Sequence, residues 1–543
     1  MKHLMAFKIL AFLLILMIGQ ACQNASGEKQ ASTLGTIEFE VTGEPDAAEF
    51  FREGVLLLHS FMYSDAAAEF RNAQEKDPDF AMAYWGEAMT HNHPLWSEQN
   101  YEKAVEVLLR LGTTSDERIN KAGTEFEKDL FRSVEILYGE GSKIERDDAY
   151  AEYLASLNEK YPNNHEISAF YALSLLGSVE TGRDYAVYEK GARIAKGILS
   201  ENPGHPGALH YLIHSYDDPD HASLALEAAN NYSKVAPDAG HALHMPSHIY
   251  IAMGMWDEVI SSNIRSYEAR LKRVQENKSS NWNLHAYHWL LYGYLQKGDL
   301  ENARKIMTNM QNYVKSKEAN SYTKSYVIDM VGNYWAETND WNAEVPSIQL
   351  ETDGLNVRFE ASRLFLEGYR AFVNGEVRQL TANIEAIEDK ILKASNSLAT
   401  RGITVCSGVG FASKPPNQDD IDMARVFVTQ LKIGQARLSG IPDQEIEELM
   451  VAATQLEETI SFNFGPPAIV IPTWEMYGNW LLEKERYEDA ITQFDKSLEK
   501  GPGRMNALKG KLKAASALGD DKLVDELQQQ ILNNTSGVSN SQS

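Results

Sequence analysis

Residues 51–78, FREGVLLLHSFMYSDAAAEFRNAQEKDP, decide the fold of this chain. Small, aromatic and helix-breaking residues follow one another along it at regular steps: Gly54, Ala66, Phe70, Ala73 and Pro78. The small residues let two helices approach closely, and Phe70 fills the space between them. Pro78 ends the second helix, because proline lacks the backbone N–H that a helix interior needs. The stretch therefore predicts two helices joined by a turn.

This pattern resembles the tetratricopeptide repeat (TPR), a helix-turn-helix unit of about 34 residues. A similar rhythm of helices and closing prolines recurs at 148–162, 186–203, 205–237, 240–272, 282–313 and 474–518. One such unit cannot bury its apolar face alone, so neighbouring units stack. The sequence therefore predicts an all-α fold, a tetratricopeptide-repeat helical solenoid.

The chain is predicted to have six segments. They are a lipoprotein signal peptide at 1–22, a flexible tether at 23–45, N-terminal repeats at 46–340, an irregular helical segment at 341–465, C-terminal repeats at 466–535 and a disordered tail at 536–543. The irregular segment is expected to hold helices at 357–374, 376–393, 420–439 and 443–460. Its long loop at 399–418 contains Cys406, and loops of that length are often functional.

The first residues resemble a bacterial lipoprotein signal. Lys2 and Lys8 precede an apolar stretch at 9–18 that is too short for a stable membrane span, and Gly-Gln-Ala-Cys follows at 19–22. The resemblance implies that Cys22 carries lipid and tethers the protein to the bacterial cell envelope, with the outer membrane as the expected surface. Gly19 stands where leucine is usual, and ordinary secretion with an incidental Cys22 is the alternative.

Composition limits the partners. The chain has 543 residues and a formal net charge of −26, with no long basic run. Nucleic acid is not expected as a partner, because phosphate binding depends on clustered Lys and Arg. The same charge disfavours anionic membrane surfaces, so membrane contact is expected through the lipid anchor only.

The strongest indication of chemistry is the distribution of histidine. Nine of the fourteen histidines lie between His205 and His288. Spacings of three and four place two side chains on one helix face. Three pairs have such spacings: His210 with His214, His244 with His248, and His285 with His288. The first two pairs are one repeat period of 34 residues apart, so the pairs are expected to face one concave groove.

These six histidines are candidate metal ligands. Imidazole suits Zn, Cu, Ni and Fe, and two histidines of one helix with a third from another form a common three-ligand site. The candidate cofactor is therefore a transition metal such as Zn or Cu. Asp217 is a candidate ligand or a partner for an imidazole N–H. The alternative is that these histidines are buried core groups, and that Met245-Pro246 makes His241 and His244 capping residues.

A second cluster combines aromatic, imidazole and carboxylate groups suited to a sugar or a peptide. The candidate groove residues are Tyr84, Glu87, His91, His93, Trp96, Asp217 and Tyr287. The alternative is that Tyr84 and Trp85 only pack between repeats.

Three stretches resemble a family of large bacterial TPR proteins of about this length. They are AMAYWGEAM at 81–89, HPGALHYLIHSYDDPDHASLALEAANNYSKVAPDAGHALHMPSHIYIAMGMWDEVISSN at 205–263 and FGPPAIVIPTWEMYGNWLLEKERYEDAITQF at 464–494. The resemblance implies an all-helical repeat architecture and brings no activity with it.

Three functions remain open. The leading hypothesis is an envelope-anchored scaffold that binds a protein, a peptide or a small ligand in its groove, since fold alone does not define a reaction. A metal-dependent enzyme using the histidine pairs is the second. The third is a glycan-binding lipoprotein of polysaccharide uptake, similar in size and helical content to the outer-membrane starch-binding lipoproteins.

Overall fold

Antiparallel helix pairs make up nearly all of the regular structure. The computed structural model describes residues 33–179, 182–275, 283–316, 319–343, 352–396, 398, 415–462 and 464–536. The helices within these ranges are α1 (Pro45–His59), α2 (Tyr63–Lys76), α3 (Ala81–Met89), α4 (Tyr101–Leu111), α5 (Ser115–Lys121), α6 (Glu125–Leu137), α7 (Lys143–Lys160), α8 (His165–Gly177), α9 (Tyr185–Glu201), α10 (Pro206–Ser215), α11 (Leu226–Val235), α12 (Gly240–His244), α13 (Pro246–Ala252), α14 (Trp256–Gln275), α15 (Leu284–Lys297), α16 (Leu300–Ser316), α17 (Ser321–Thr338), α18 (Val357–Val373), α19 (Val377–Ser395), α20 (Gln418–Leu438), α21 (Asp443–Glu458), α22 (Thr473–Glu483), α23 (Tyr487–Lys500), α24 (Met505–Leu518) and α25 (Asp521–Thr535). The predicted all-α TPR-type solenoid is confirmed.

Short 3₁₀ turns and one small ladder complete the secondary structure of the described ranges. The 3₁₀ turns lie at Pro94–Trp96 and Ala222–Ala225. The strands β1 (Asn92–His93) and β2 (Glu98–Gln99) pair antiparallel and enclose the first of these turns. None of the helices in the described part combines the length and apolar character that a bilayer crossing requires.

Each end of the solenoid repeats one packing unit, in which a phenylalanine fits between two glycines. Phe70 is fully buried, and a Cβ added at Gly54 or Gly86 would lie 2.7 or 2.2 Å from its ring. Phe494 has the same relation to Gly478 and Gly510, where an added Cβ would lie 2.9 or 2.3 Å away. The helix spacing is therefore set by the width of one aromatic ring.

The substitution Gly86→Ala is expected to lower the free energy of unfolding by about 1–3 kcal/mol, because the new methyl group would overlap Phe70 in a packed core. Gly197→Ala is the matched control, since a Cβ at this exposed position of α9 meets nothing within 4 Å. There, alanine should stabilise the helix by roughly 0.5–1 kcal/mol. Urea denaturation of both variants measures the difference, and equal effects would contradict the packing argument.

The chain is already packed before the first helix. Leu34 and Phe39 are buried, and the Thr36 N–H donates to the Gly204 carbonyl at 2.9 Å. The predicted tether at 23–45 is therefore wrong for residues 34–44. The composition of this stretch is rich in polar residues, but its few apolar side chains pack into the core of the helices. The rest of the tether and Cys22 lie outside the described residues.

The segment at 341–465 is more regular than predicted. Its helices α18 to α21 begin and end within two residues of the expected bounds, and α18 packs against both α19 and α20. The segment is therefore a continuation of the stacked helices and is not irregular. Cys406 and most of the predicted loop at 399–418 lie outside the described residues, and α20 already begins at Gln418.

Arg504 joins the C-terminal repeats to the middle of the solenoid. This residue is buried just before α24, and its guanidinium lies 2.6 Å from Glu337 of α17 and 2.6 Å from Glu475 of α22. It also donates to the Tyr292 hydroxyl of α15 at 2.9 Å. Burial raises the pKa of Glu337 to about 7, against the opposing effect of Arg504. Four distant parts of the chain thus meet at one buried cation.

Candidate metal centre

Six imidazoles from four helices converge in the interior. His210 and His214 come from α10, His241 and His244 from α12, His248 from α13 and His285 from α15. Their nitrogens form two groups, in each of which three ligand atoms lie within 4.8 Å of one another. Group one is His210, His214 and His241, and group two is His244, His248 and His285.

In group one, two ring nitrogens face each other. The Nε2 atoms of His210 and His214 are 3.1 Å apart. His210 Nδ1 donates to the His59 carbonyl at 2.7 Å, so its lone pair lies on Nε2. His241 completes the group with its ring centre 5.0 Å from that of His210, and its buried Nε2 has no hydrogen-bond partner among the described residues. These nitrogens are directed at one another rather than at protein donors.

In group two, a hydrogen bond to Asn263, which is not part of the group, fixes the orientation of the His244 ring. Its Nδ1 donates to Asn263 Oδ1 at 2.7 Å, and the Asn263 amide is held in that orientation by its own donation to the Val259 carbonyl at 2.8 Å. The lone pair of His244 is thereby placed on Nε2, which is buried and has no hydrogen-bond partner in the described ranges. The ring centres of His285 and His248 lie 4.3 and 5.2 Å from that of His244.

Asp217 connects the two groups. Its Oδ2 lies 3.4 Å from His214 Nδ1 and 3.2 Å from His248 Nδ1, and its Oδ1 accepts from Arg183 at 2.8 Å. Burial alone raises the pKa of Asp217, but Arg183 and the two imidazoles hold it below its usual value. The carboxylate stays ionised and favours a proton on the outward Nδ1 of both rings. In metalloproteins, such a partner orients a histidine and makes it a better ligand.

Four of the six imidazoles are kept neutral by burial. Burial lowers the pKa of four of them well below 6.5, and their mutual repulsion adds to the effect: His210, His241, His244 and His285. Neutral imidazole is the form that binds a metal. The site can therefore offer lone pairs at neutral pH without first losing protons.

A third buried cluster has a different character. Glu166 Oε2 lies 2.8 Å from His59 Nε2, and Oε1 lies 3.2 Å from His205 Nε2. The other nitrogens are also engaged, because His205 Nδ1 accepts from the Ala208 N–H and His59 Nδ1 contacts the Tyr211 hydroxyl at 2.9 Å. Burial raises the pKa of Glu166, but the two imidazoles lower it to about 2. This cluster is a buried ionic network that ties α1 to α8 and α10.

Several predicted site residues lie elsewhere. His288 Nε2 donates to Asn333 Oδ1 at 2.7 Å, and its ring belongs to neither group, because it points from α15 towards α17. Tyr287 stacks on Tyr267 in the core, at 4.8 Å between ring centres. Tyr84 is buried and donates to the Pro78 carbonyl. These residues pack and do not line a groove.

Glu87 belongs to a structural ion cluster at α3. It is buried and accepts from Arg71 and Gln74, and it also pairs with Arg110. The half-buried His91 lies just beyond α3, and burial lowers its pKa. Neither residue takes part in the two histidine groups.

Trp96, another predicted groove residue, lies beside group one. Its ring centre is 6.4 Å from that of His241, and His93 stands 5.5 Å from it on the other side. Phe61, at 5.6 Å from Trp96, also stacks on His241. Aromatic side chains thus shield group one on its outer side.

A cavity of about 170 Å³ adjoins group two. His248 and Asp217 line one wall, and the other walls are mainly aromatic and aliphatic, with Phe464 and Trp474 among them. The carboxyl group of Glu457 also lines this cavity, and burial raises its pKa to about 7. The cavity thus places mainly apolar walls and a few charged side chains next to His248.

Sequence analysis missed parts of this site that come from distant positions. Arg183 and the His59 carbonyl hold the imidazoles but precede the histidine-rich stretch. His241 was interpreted as a capping residue, yet α12 is capped by Ala239 without any side-chain hydrogen bond. The sequence signal for His241 is its position three residues before His244, on the same helix, α12.

The metal-free protein is expected to lose stability as the pH falls from 7.5 to 5.5. Burial lowers the folded-state pKa values of several histidines below 6.5, so the unfolded chain binds more protons in this window. These residues are His59, His210, His241, His244, His248, His285 and His288. Each such group lowers the free energy of unfolding by up to about 1.4 kcal/mol per pH unit. Glu337 and Glu457, with pKa values raised to about 7, oppose this trend, but the histidines outnumber them.

Chemical denaturation at three pH values in the presence of a chelator measures this slope. The His210→Ala, His244→Ala double variant should give a shallower slope than the parent chain. Asp217 and Glu166 do not interfere, because carboxylates with lowered pKa values lose their contribution only below about pH 4. Stability that is constant or rises towards pH 5.5 would contradict the buried neutral state.

TPR proteins are among the solved structures that the chain resembles. The TPR domain of P58(IPK) is 13% identical, with 88% of this chain and 99% of that chain covered and a TM-score of 0.21. The human IFIT1 dimer with m7Gppp-AAAA is 10% identical, with 91% and 95% covered and a TM-score of 0.33. Yeast Tom70 is 12% identical, with 90% and 93% covered and a TM-score of 0.28.

No protein-family model matches the chain, and no curated protein matches it. The class of protein is defined by the helix pairs and the Gly–Phe–Gly packing of this chain. It is an all-α helical-repeat protein of the TPR type.

Proposed function

We propose that this protein binds a first-row transition-metal ion through His210, His214 and His241. The observation that carries the proposal is the 3.1 Å separation between the Nε2 atoms of His210 and His214. Two ligand nitrogens at about 2.0–2.1 Å from a tetrahedral ion are about 3.3 Å apart. The pair thus already has nearly the spacing that an ion would impose.

The contact depends on which nitrogen of His214 carries the proton. A hydrogen bond to the His59 carbonyl places the lone pair of His210 on Nε2. Asp217, 3.4 Å from His214 Nδ1, favours a proton on that nitrogen, and in this tautomer both Nε2 atoms are acceptors. A shared proton would satisfy them, but burial lowers the pKa of His210 well below 6.5. A metal ion satisfies both lone pairs without protonation, and imidazole suits Zn and Cu.

Burial also argues for a small ligand at this site. His210, His214, His244 and His248 are each at most 4% exposed. A protein, a peptide or a polysaccharide cannot contact rings that are enclosed to this degree. The buried histidines are therefore accessible to a small ligand only, and the protein or peptide partner of a scaffold would contact other surfaces of the solenoid.

Elemental analysis of the full-length chain, purified with a tag that contains no histidine, tests the proposal. The chain should retain Zn or Cu after dialysis, and the His210→Ala, His214→Ala variant should lose the ion of group one. The matched control is His288→Gln, a buried histidine of α15 outside both groups, which should keep the parent's metal content. A folded parent chain without bound metal after incubation with Zn²⁺ and Cu²⁺ would refute the proposal.

Metal-dependent catalysis is a second candidate function, favoured by the cavity beside His248 of group two, which Asp217 links to His214 of group one. Three protein ligands leave a coordination position open, where a metal-bound water can become a nucleophile at neutral pH. The apolar walls favour a small uncharged substrate such as an ester. Hydrolysis of a chromogenic ester that stops after chelation and in the His210→Ala variant would support this function, whereas activity that survives both treatments would exclude it.

We also propose that the protein is anchored to the bacterial cell envelope, because a signal-like sequence ends at Cys22. Replacing Cys22 by serine is expected to move the protein from the membrane fraction to the soluble fraction of a bacterial host, because no lipid could be attached. Labelling with a radioactive fatty acid should be lost in the same variant. A Cys22→Ser chain that stays with the membranes would contradict lipid anchoring.

A further inference from the structure

Group two repeats the arrangement of group one. It likewise offers three imidazoles, from α12, α13 and α15, whose ligand atoms lie within 4.8 Å of one another. We infer that His244, His248 and His285 bind a second transition-metal ion, so that the protein contains a two-metal centre. This inference rests on the proposed function, because the two groups share Asp217.

The second group points to a ligand independently of the first. His244 is 1% exposed, its Nδ1 is used by Asn263, and its Nε2 is buried without a hydrogen-bond partner in the described part of the chain. Leaving a polar atom unsatisfied in the interior costs about 1–3 kcal/mol, so such atoms are usually paired. The rings of His248 and His285 lie 5.2 and 4.3 Å from that of His244 between ring centres, yet neither makes a hydrogen bond to this Nε2 atom. A cation between the three rings would satisfy its lone pair.

The outer contacts of group two match those of a metal site. Each ring has one nitrogen engaged away from the centre: His244 with Asn263 at 2.7 Å, His248 with Asp217 at 3.2 Å and His285 with the Tyr326 hydroxyl at 3.1 Å. Metal-binding histidines typically use their second nitrogen in this way. Trp289 packs against His244 at 4.9 Å and His248 at 4.6 Å between ring centres, which limits their rotation.

The two groups are close enough to act together. The ring centres of His214 and His248, one from each group, are 5.4 Å apart, and both rings contact the same carboxylate oxygen of Asp217. Each ring contacts this carboxylate through Nδ1, its outward nitrogen, so one negative charge orients a ligand ring of each ion.

Metal stoichiometry of the full-length chain separates this inference from the proposed function. Loaded with Zn²⁺ and freed of excess, the parent chain and the His288→Gln control should hold two ions per chain. The His210→Ala, His214→Ala variant and the His244→Ala, His285→Ala variant should hold one each. A single ion that is lost only with group one would overturn the second site and leave the proposed function intact, whereas no ion at all would overturn both.

A spectroscopic measurement covers the case in which the group-two double variant does not fold. The parent chain loaded with Cu²⁺ should show a loss of electron paramagnetic resonance signal per copper, because adjacent Cu²⁺ ions couple magnetically. The milder substitution His285→Gln, at a half-buried position, should restore the signal of an isolated Cu²⁺. Full signal intensity from two bound ions in the parent chain would overturn the two-metal centre.

Discussion

Replacing Arg504 by methionine is expected to lower the free energy of unfolding by about 3–5 kcal/mol, the typical cost of removing one partner from a buried ion pair. The guanidinium is 3% exposed and lies 2.6 Å from both Glu337 and Glu475. Without it, two buried carboxyl groups lose their counter-ion. The loss of stability should be greater at pH 8 than at pH 6. Without Arg504, Glu337 and Glu475 avoid the cost of a buried unpaired charge only by taking up protons, which is easier at the lower pH.

The compensating variant distinguishes lost charge pairing from lost packing. Arg504→Met combined with Glu337→Gln and Glu475→Gln leaves no unpaired charge, and neutral replacements of whole buried ion clusters are often tolerated. We expect it to recover most of the stability, as measured by guanidinium denaturation. A triple variant as unstable as Arg504→Met would show that the shape of the arginine side chain, rather than its charge, holds the C-terminal repeats.

The fold was predictable from sequence because its determinants are local and periodic. Phe70 and its flanking small residues specify one helix pair without reference to the rest of the chain, and the helices of the 341–465 segment follow from their own apolar spacing. The packing of residues 34–44 was not predictable in this way. Their partners Gly204 and Glu127 are distant in sequence, so only the folded chain shows that these residues are fixed.

The histidine pairs illustrate the same limit at the site. Residues four apart on a helix differ by about 40° around its axis, whereas residues three apart differ by about 60° in the opposite sense. His210 and His214 therefore stay together, and so do His244 and His248, because Met245 keeps a helical conformation between α12 and α13. His241 and His244, three apart, turn towards different groups, and His285 and His288 diverge in the same manner. Sequence spacing defined the pairs, and helix packing decided the third member of each group.

Asp217→Asn is expected to weaken metal binding by about 10- to 100-fold, the usual effect of removing a carboxylate that orients metal-binding histidines. The side chain keeps its size, but the neutral amide lacks the negative charge that attracts the Nδ1 protons of both His214 and His248. Both rings then lose the interaction that favours a proton on Nδ1 and a lone pair on Nε2. The effect should therefore appear in the affinity of each of the two groups.

Asp218→Asn is the matched control for this substitution. Asp218 is also buried and also pairs with Arg183, at 3.2 Å. Its Oδ1 accepts from the backbone N–H groups of Asp220 and His221 and contacts the His221 ring, and neither residue belongs to a histidine group. Both variants thus remove one carboxylate charge that pairs with Arg183, but only Asp217→Asn removes a contact to the histidines of the two groups. Competition with a chromophoric chelator gives the dissociation constants. An equal loss of affinity in the two variants would assign the effect to Arg183, whereas a loss confined to Asp217→Asn would mean that one carboxylate orients both halves of the centre.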